Sequence, residues 1–139
     1  MLLLDTSICV EVLRVRGLPQ VVSRFHALRP GDAATCSVVR FEFMRGVRAS
    51  RARATNAAAV EALLATLPSL PMDDRAADEA SDIAAHLAAL GTPIGPYDLL
   101  IAAIARANGT ALVTANAAEF ARVPGLRVED WRAVVAPPT

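Results

Sequence analysis

The 139-residue chain has no lysine, and all fourteen of its basic residues are arginine. That absence argues against a phosphoacceptor receiver domain, which sets acids at strand ends but relies on a lysine. Aromatic residues are scarce at 4%, so the core must draw mainly on Ala, Leu, Val and Ile, within a hydrophobic fraction of 54%. Cysteine occurs twice, at Cys9 and Cys36, with no CxxC spacing. Two buried free thiols in a reducing cytosol are expected rather than a disulfide framework. No apolar run approaches the roughly 20 residues of a membrane span. Only the short apolar run Leu2–Leu4 lies between Met1 and the first acid, without a basic flank, so a signal peptide is not expected. These features together predict a cytoplasmic protein with no membrane partner.

Net charge is also absent. Fourteen acids balance the fourteen arginines, so bulk charge predicts neither nucleic-acid nor membrane binding. The distribution is uneven, with arginine in excess before Leu70 and acid in excess after it. An anionic partner must therefore use a local patch.

Strand-like and helix-like segments alternate along the chain. Leu2–Leu4 reads as a short buried strand, and Ser7 is placed to cap the helix that follows. PQVVSRFHAL reads as a second helix, ATCS as a strand, and Ser37 as the cap of SVVRFEFMRGVRAS. A helix is expected over about Thr55 to Leu67, an extended piece at LPSLPMD, and a helix over Asp74 to Leu90 closed by Gly91. Pro96 suits the first turn of YDLLIAAIARAN, which Gly109 ends. ALVT, NAAEF and LRV read as strand, short helix and strand. The alternation predicts one α/β domain over residues 1–139, with a mostly parallel sheet covered on both faces.

In open sheets of this kind the carboxyl ends of the strands form the ligand crevice. Asp5 follows the first strand, Glu42 lies in the helix after the second, Asp98 in the first turn of a later helix, and Asn116 just past ALVT. Carboxylates gathered at one edge repel unless a cation neutralises them. Oxygen ligands without His or Cys clusters suit Mg²⁺ or Mn²⁺ rather than Zn²⁺. A phosphodiester hydrolase uses such a cation to activate water and stabilise the leaving oxygen.

The stretches MLLLDTS, SVVRFEFMRG and GTPIGPYDLLIAAIARANGTALVTANAAEFARVPGLRVEDW resemble the PIN-domain ribonucleases of the VapC toxin type. The likeness covers nearly the whole chain and is most specific from Gly91 to Trp131. It implies a three-layer α/β/α sandwich, Mg²⁺- or Mn²⁺-dependent endonuclease activity on RNA, commonly tRNA, a VapB-like antitoxin, and a homodimer. Carried over by position, the site is Asp5, Glu42 and Asp98 as metal-binding and catalytic acids, with Asn116 in a fourth place that is often acidic in other PIN nucleases. Asparagine there weighs against a second tightly bound metal. Hydrolysis by this route leaves a 5′-phosphate and a 3′-hydroxyl.

Each residue also has a plainer reading. Asp5 can cap a helix, Asp98 can favour a helix N-terminus, Glu42 can pair with Arg45, and Asn116 can be a turn residue. Glu119 reads slightly better as a cap of the short helix than as support behind the site. Ser7 and Thr114 can orient water or phosphate, or simply bond backbone. Arg45, Arg48, Arg51 and Arg53 are candidates for phosphate contact, the first three near one helical face. Ile8, Val12, Leu13, Val21, Val22 and Phe25 suit the core by default, or an antitoxin groove. A haloacid-dehalogenase-like phosphatase is disfavoured because Ser7 stands where its second aspartate belongs. A metal-independent ribonuclease using His26 and His86 has no motif context. The stronger alternative is a catalytically weak PIN fold retained to bind antitoxin or RNA.

Overall fold

A computed structural model describes residues 1–132, so the last seven positions of the expected domain lie outside the described residues. Five strands form one sheet: β1 (Leu2–Leu4), β2 (Ala33–Cys36), β3 (Ser69–Leu70), β4 (Ala111–Val113) and β5 (Val128–Glu129). Their order is β3-β2-β1-β4-β5, and every pairing is parallel. In β1, Leu3 sits opposite Ala34 on one side and Leu112 on the other. The strand is apolar throughout because a central parallel strand has no solvent face. Leu3, Leu4, Leu112 and Val113 are fully buried.

Among the described residues seven helices accompany the sheet: α1 (Thr6–Leu13), α2 (Pro19–His26), α3 (Ser37–Ala49), α4 (Arg53–Leu64), α5 (Asp74–Ala89), α6 (Pro96–Ala107) and α7 (Ala117–Phe120). Successive connections from β1 to β3 run one way across the sheet, and those from β3 to β5 run back. With right-handed crossovers, α1–α4 cover one face and α5–α7 the other. The result is the three-layer sandwich expected from the sequence. Among the described residues, no helix is long and apolar enough to cross a membrane.

Several helix ends differ from expectation. Of the two residues read as possible caps of α1, Asp5 rather than Ser7 takes the position, its carboxylate accepting the Thr6 amide. Ser37 does not cap its helix; its hydroxyl accepts the Met72 amide and ties α3 to the segment after β3. The fourth helix begins at Arg53 and ends at Leu64, because Thr66 folds back on Leu63. Helix α3 ends at Ala49, so Arg51 lies beyond it and Arg53 opens the next helix. Of the three arginines expected near one face, Arg51 therefore does not share the helix of Arg45 and Arg48. Gly91 and Gly109 end α5 and α6 as read, both at positive φ. In each case the following residue bonds back to the helix, Thr92 to Leu87 and Thr110 to Ala105.

The apolar residues of α1 and α2 serve the core: Ile8 and Val21 are fully buried, and Val12, Leu13 and Phe25 pack against them. Cys9 and Cys36 are buried free thiols, their pKa values pushed up to about 12 and about 11 chiefly by burial. The α5–α6 layer is tied by Arg106, which bonds Glu79, Asp82 (2.6 Å) and the Pro124 carbonyl (3.1 Å). Its side chain is mostly buried while Asp82 is exposed, so Arg106→Ala strands acids that water can still reach. The expected cost is about 1–2 kcal/mol. Differential scanning calorimetry should show a lower Tm; an unchanged Tm contradicts this role for the tie.

Candidate active site

The strand order reverses direction between β1 and β4, the point at which an open parallel sheet leaves a crevice at its carboxyl end. A cleft of about 690 Å³ opens there, and Asp5, Glu42, Asp98 and Asn116 all line it. Four residues spread over 112 positions of sequence are thus brought together by topology.

Asp5 is the deepest of them, 5% exposed at the end of β1. One carboxylate oxygen accepts the Thr6 amide (2.7 Å); the other accepts the hydroxyls of Thr114 (2.6 Å) and Ser7 (3.1 Å). Both hydroxyls also accept backbone amides, Thr114 from Asn116 and Ser7 from Ala115, each at 3.0 Å. The hydroxyls therefore join the β1 and β4 ends through one carboxylate, and the helix cap and the cleft floor are the same group. Burial raises the Asp5 pKa, against the three hydrogen bonds that lower it.

Glu42 projects from α3, where its carboxylate accepts the Thr6 hydroxyl at 2.8 Å. The pairing with Arg45 that a helix could provide is not formed; Arg45 turns to Tyr97 and Phe41 instead. Asp98 occupies the first turn of α6, which Pro96 opens without a side-chain cap. Its pKa is pushed up to about 6, first by burial and then by the negative fields of Asp5, Glu119 and Glu42.

Asn116 is exposed at the cleft rim, and its amide nitrogen donates to Glu119. Glu119 corrects the reading of it as a helix cap: its other oxygen accepts the Gly95 amide (3.0 Å), the residue that precedes α6. That bond fixes the entry of the helix carrying Asp98, and no local sequence pattern announces it. His26 is exposed on α2, and His86 lies near the end of α5; neither lines the cleft.

Above the acidic floor the cleft is rimmed by Arg14, Arg16 and Arg132. Arg14 pairs with Glu11 and Arg132 with Asp130, while Arg16 makes no ion pair among the described residues. No arginine among the described residues bonds Asp5, Glu42 or Asp98. The one rim arginine without an ion pair among the described residues, Arg16, and the two paired ones give a polyanion cationic contacts at the edge of a negative floor.

The donor chemistry of the floor is all oxygen, uncompensated, and suited to a hard cation. Among the described residues no three acidic, His or Cys side chains are gathered tightly enough to enclose an ion unaided.

The fold and cleft together define a class: the PIN domain family model matches residues 2–126. The chain is 36% identical over 129 residues to the tRNA(fMet)-specific endonuclease VapC of Salmonella typhimurium, covering 93% of this chain and 96% of that protein. Ribonuclease VapC2 of Haemophilus influenzae is 36% identical over the same shares. The crystal structure of DNA-bound VapBC from Salmonella typhimurium matches with a TM-score of 0.87 at 37% identity, covering 94% of this chain and 97% of that one. The chain belongs to the PIN-domain family and, within it, to the VapC-type toxin ribonucleases.

The raised pKa of Asp98 has a thermodynamic consequence. The folded, metal-free protein holds this proton more tightly than the unfolded chain, whose ordinary value is 3.8. Stability is therefore lost as pH rises from about 4 to about 6, and the deficit stays constant above that. Asp98→Asn removes the charge, so its Tm in EDTA should gain on that of the parent across this window and level off above it. Because Asp98 is partly exposed, the gain should be modest, about 1–4 °C. Paired thermal melts across the range check it; a pH-independent difference contradicts it.

Proposed function

We propose that this protein is the toxin of a toxin–antitoxin pair, cutting single-stranded loops of structured RNA, tRNA foremost, with a divalent cation at the acidic floor. The observation that carries this reading is the uncompensated carboxylate floor of Asp5, Glu42 and Asp98 under a rim of arginines. Asp5 and Asp98 would hold Mg²⁺ or Mn²⁺, directly or through water, with Glu42 completing the acidic pocket and Asn116 offering an amide oxygen. When bound, the cation supplies charge stabilisation for a phosphodiester oxygen and acidifies water.

The chain's own residues do the positioning. Ser7, Thr114 and the Thr6 amide hold Asp5 in one rotamer. Thr6 also orients Glu42, so one residue serves both acids. Arg14, Arg16 and Arg132 offer sites for backbone phosphates on the approach to the floor. Substrate choice then rests on RNA shape and exposed loops, because the nucleophile is not the 2′-hydroxyl.

The relatives also bear on a partner. VapBC structures come from Salmonella typhimurium, Rickettsia felis and Haemophilus influenzae. A VapB-like antitoxin for this chain would insert an arginine or lysine among the carboxylates, since charge-assisted pairing there is strong and excludes the cation. Val10 and Leu18, which line the cleft beside Glu11, offer its apolar footing. The homodimer of the family expectation and a cytoplasmic location belong to the same proposal.

Asp5→Asn tests the metal role. Asparagine caps helices about as well as aspartate, and both neighbouring hydroxyls can rotate to accept from its amide. The metal-free Tm should therefore be unchanged or slightly higher. The Tm increase on adding Mg²⁺ or Mn²⁺ should shrink, and RNA cleavage should fall by at least about 100-fold. Parent cleavage should stop in excess EDTA. Full cleavage by Asp5→Asn with an undiminished metal-induced shift returns Asp5 to a capping role alone.

A further inference from the structure

The chain has six aromatic residues, four Phe, one Tyr and one Trp. Phe43, Phe120 and Trp131 are buried in the core, and Phe25 packs against it. The remaining two, Phe41 on α3 and Tyr97 on α6, lie together beside the acidic cleft, their ring centroids 5.3 Å apart and tilted by 58°. Phe41 is 47% exposed, an expensive place for one of so few aromatic rings.

The guanidinium of Arg45 stacks on the pair, 5.5 Å from the Phe41 centroid and 5.1 Å from that of Tyr97. Phe41 precedes Glu42 on α3 and Tyr97 precedes Asp98 on α6, which brings the ring pair to the side of the site. A second cavity of about 150 Å³ is walled by Glu42, Gly95, Pro96, Tyr97 and Asp98. A ring surface carrying a cation beside carboxylates that receive a phosphodiester matches a nucleotide in both parts, a π-faced base and an anionic backbone. Arg48, three residues past Arg45 and exposed, extends the positive charge along α3.

We infer that Phe41, Arg45 and Tyr97 form a shelf on which a nucleobase flanking the scissile phosphate stacks after leaving a single-stranded RNA loop. The inference rests on the ribonuclease reading above and adds how the substrate is held. Stacking of this kind is tolerant of sequence, because every base presents a π-face. The shelf therefore selects unstacked loop nucleotides over paired ones, and its contribution is to binding rather than to the chemical step.

The probe is a short RNA hairpin whose loop carries 2-aminopurine, with cleavage followed in Mg²⁺ or Mn²⁺ and fluorescence followed in EDTA. Parent protein should quench the loop fluorophore on binding. Phe41→Ala should lose the quenching and raise KM about tenfold, with kcat changed less than about twofold. Phe41→Trp should restore both, and sedimentation should give the same oligomeric state for all three. Cleavage by the parent with an unchanged KM in Phe41→Ala overturns the shelf while leaving the nuclease reading intact. A Phe41→Ala defect that comes with a changed oligomeric state and is not restored by Phe41→Trp also overturns it, assigning the face to a second copy of the chain. A parent protein that neither binds nor cleaves RNA overturns both readings.

Discussion

The structure depends on a buried carboxylate that holds two strand ends together. Asp5 ends β1, caps α1, and receives hydroxyls from Ser7 and from Thr114 at the end of β4. A charge this deep is tolerated only when hydrogen-bonded, and the three donors meet that need on the protein's side. Burial nevertheless still outweighs them in setting its pKa. In the proposed mechanism that residual cost favours a cation approaching from the open side of the cleft.

That constraint propagates outward. Thr6, held at the start of α1, presents its hydroxyl to Glu42 and so couples the first helix to the third. Glu119 grips the amide of Gly95 and sets the entry of α6, which delivers Asp98. Each acid is thus positioned by a group on a different element from its own, and the three fields add at Asp98. The arginines stay on the rim, where they can meet phosphate without neutralising the floor. Such a division suits an enzyme that must attract a polyanion and yet leave its cation site open.

Much of this was legible in the sequence. Leu2–Leu4 running into Asp5, and Ala111–Val113 running into Thr114, are apolar strands ending in polar groups, and parallel topology alone brings their ends together. The punctuation by Gly91, Pro96 and Gly109 was readable because those residues constrain backbone locally. What escaped was side-chain choice between compatible partners. Ser7 and Ser37 both look like helix caps, yet the cap of α1 went to Asp5, already placed at the strand end, and Ser37 was drawn to the Met72 amide. Glu119 looked local and proved long-range. The arginine stripe failed because α3 stops at Ala49, before Arg51 can join its face. Arg14, Arg16 and Arg132 carried no motif at all, since only the folded cleft brings them to one rim.

The central claim is that the acidic floor is held open for a divalent cation and that Asp98 belongs to it. Calorimetric titration of Mn²⁺ into the protein, repeated at one pH in buffers of different ionisation enthalpy, tests this most directly. Burial and the neighbouring acids push the Asp98 pKa up to about 6, so a measurable fraction of the free protein carries this proton at pH 6. Binding should therefore release part of a proton at pH 6, against much less at pH 8, and the release should shrink in Asp98→Asn. Binding without proton release at pH 6, or release that is undiminished in Asp98→Asn, would contradict the account.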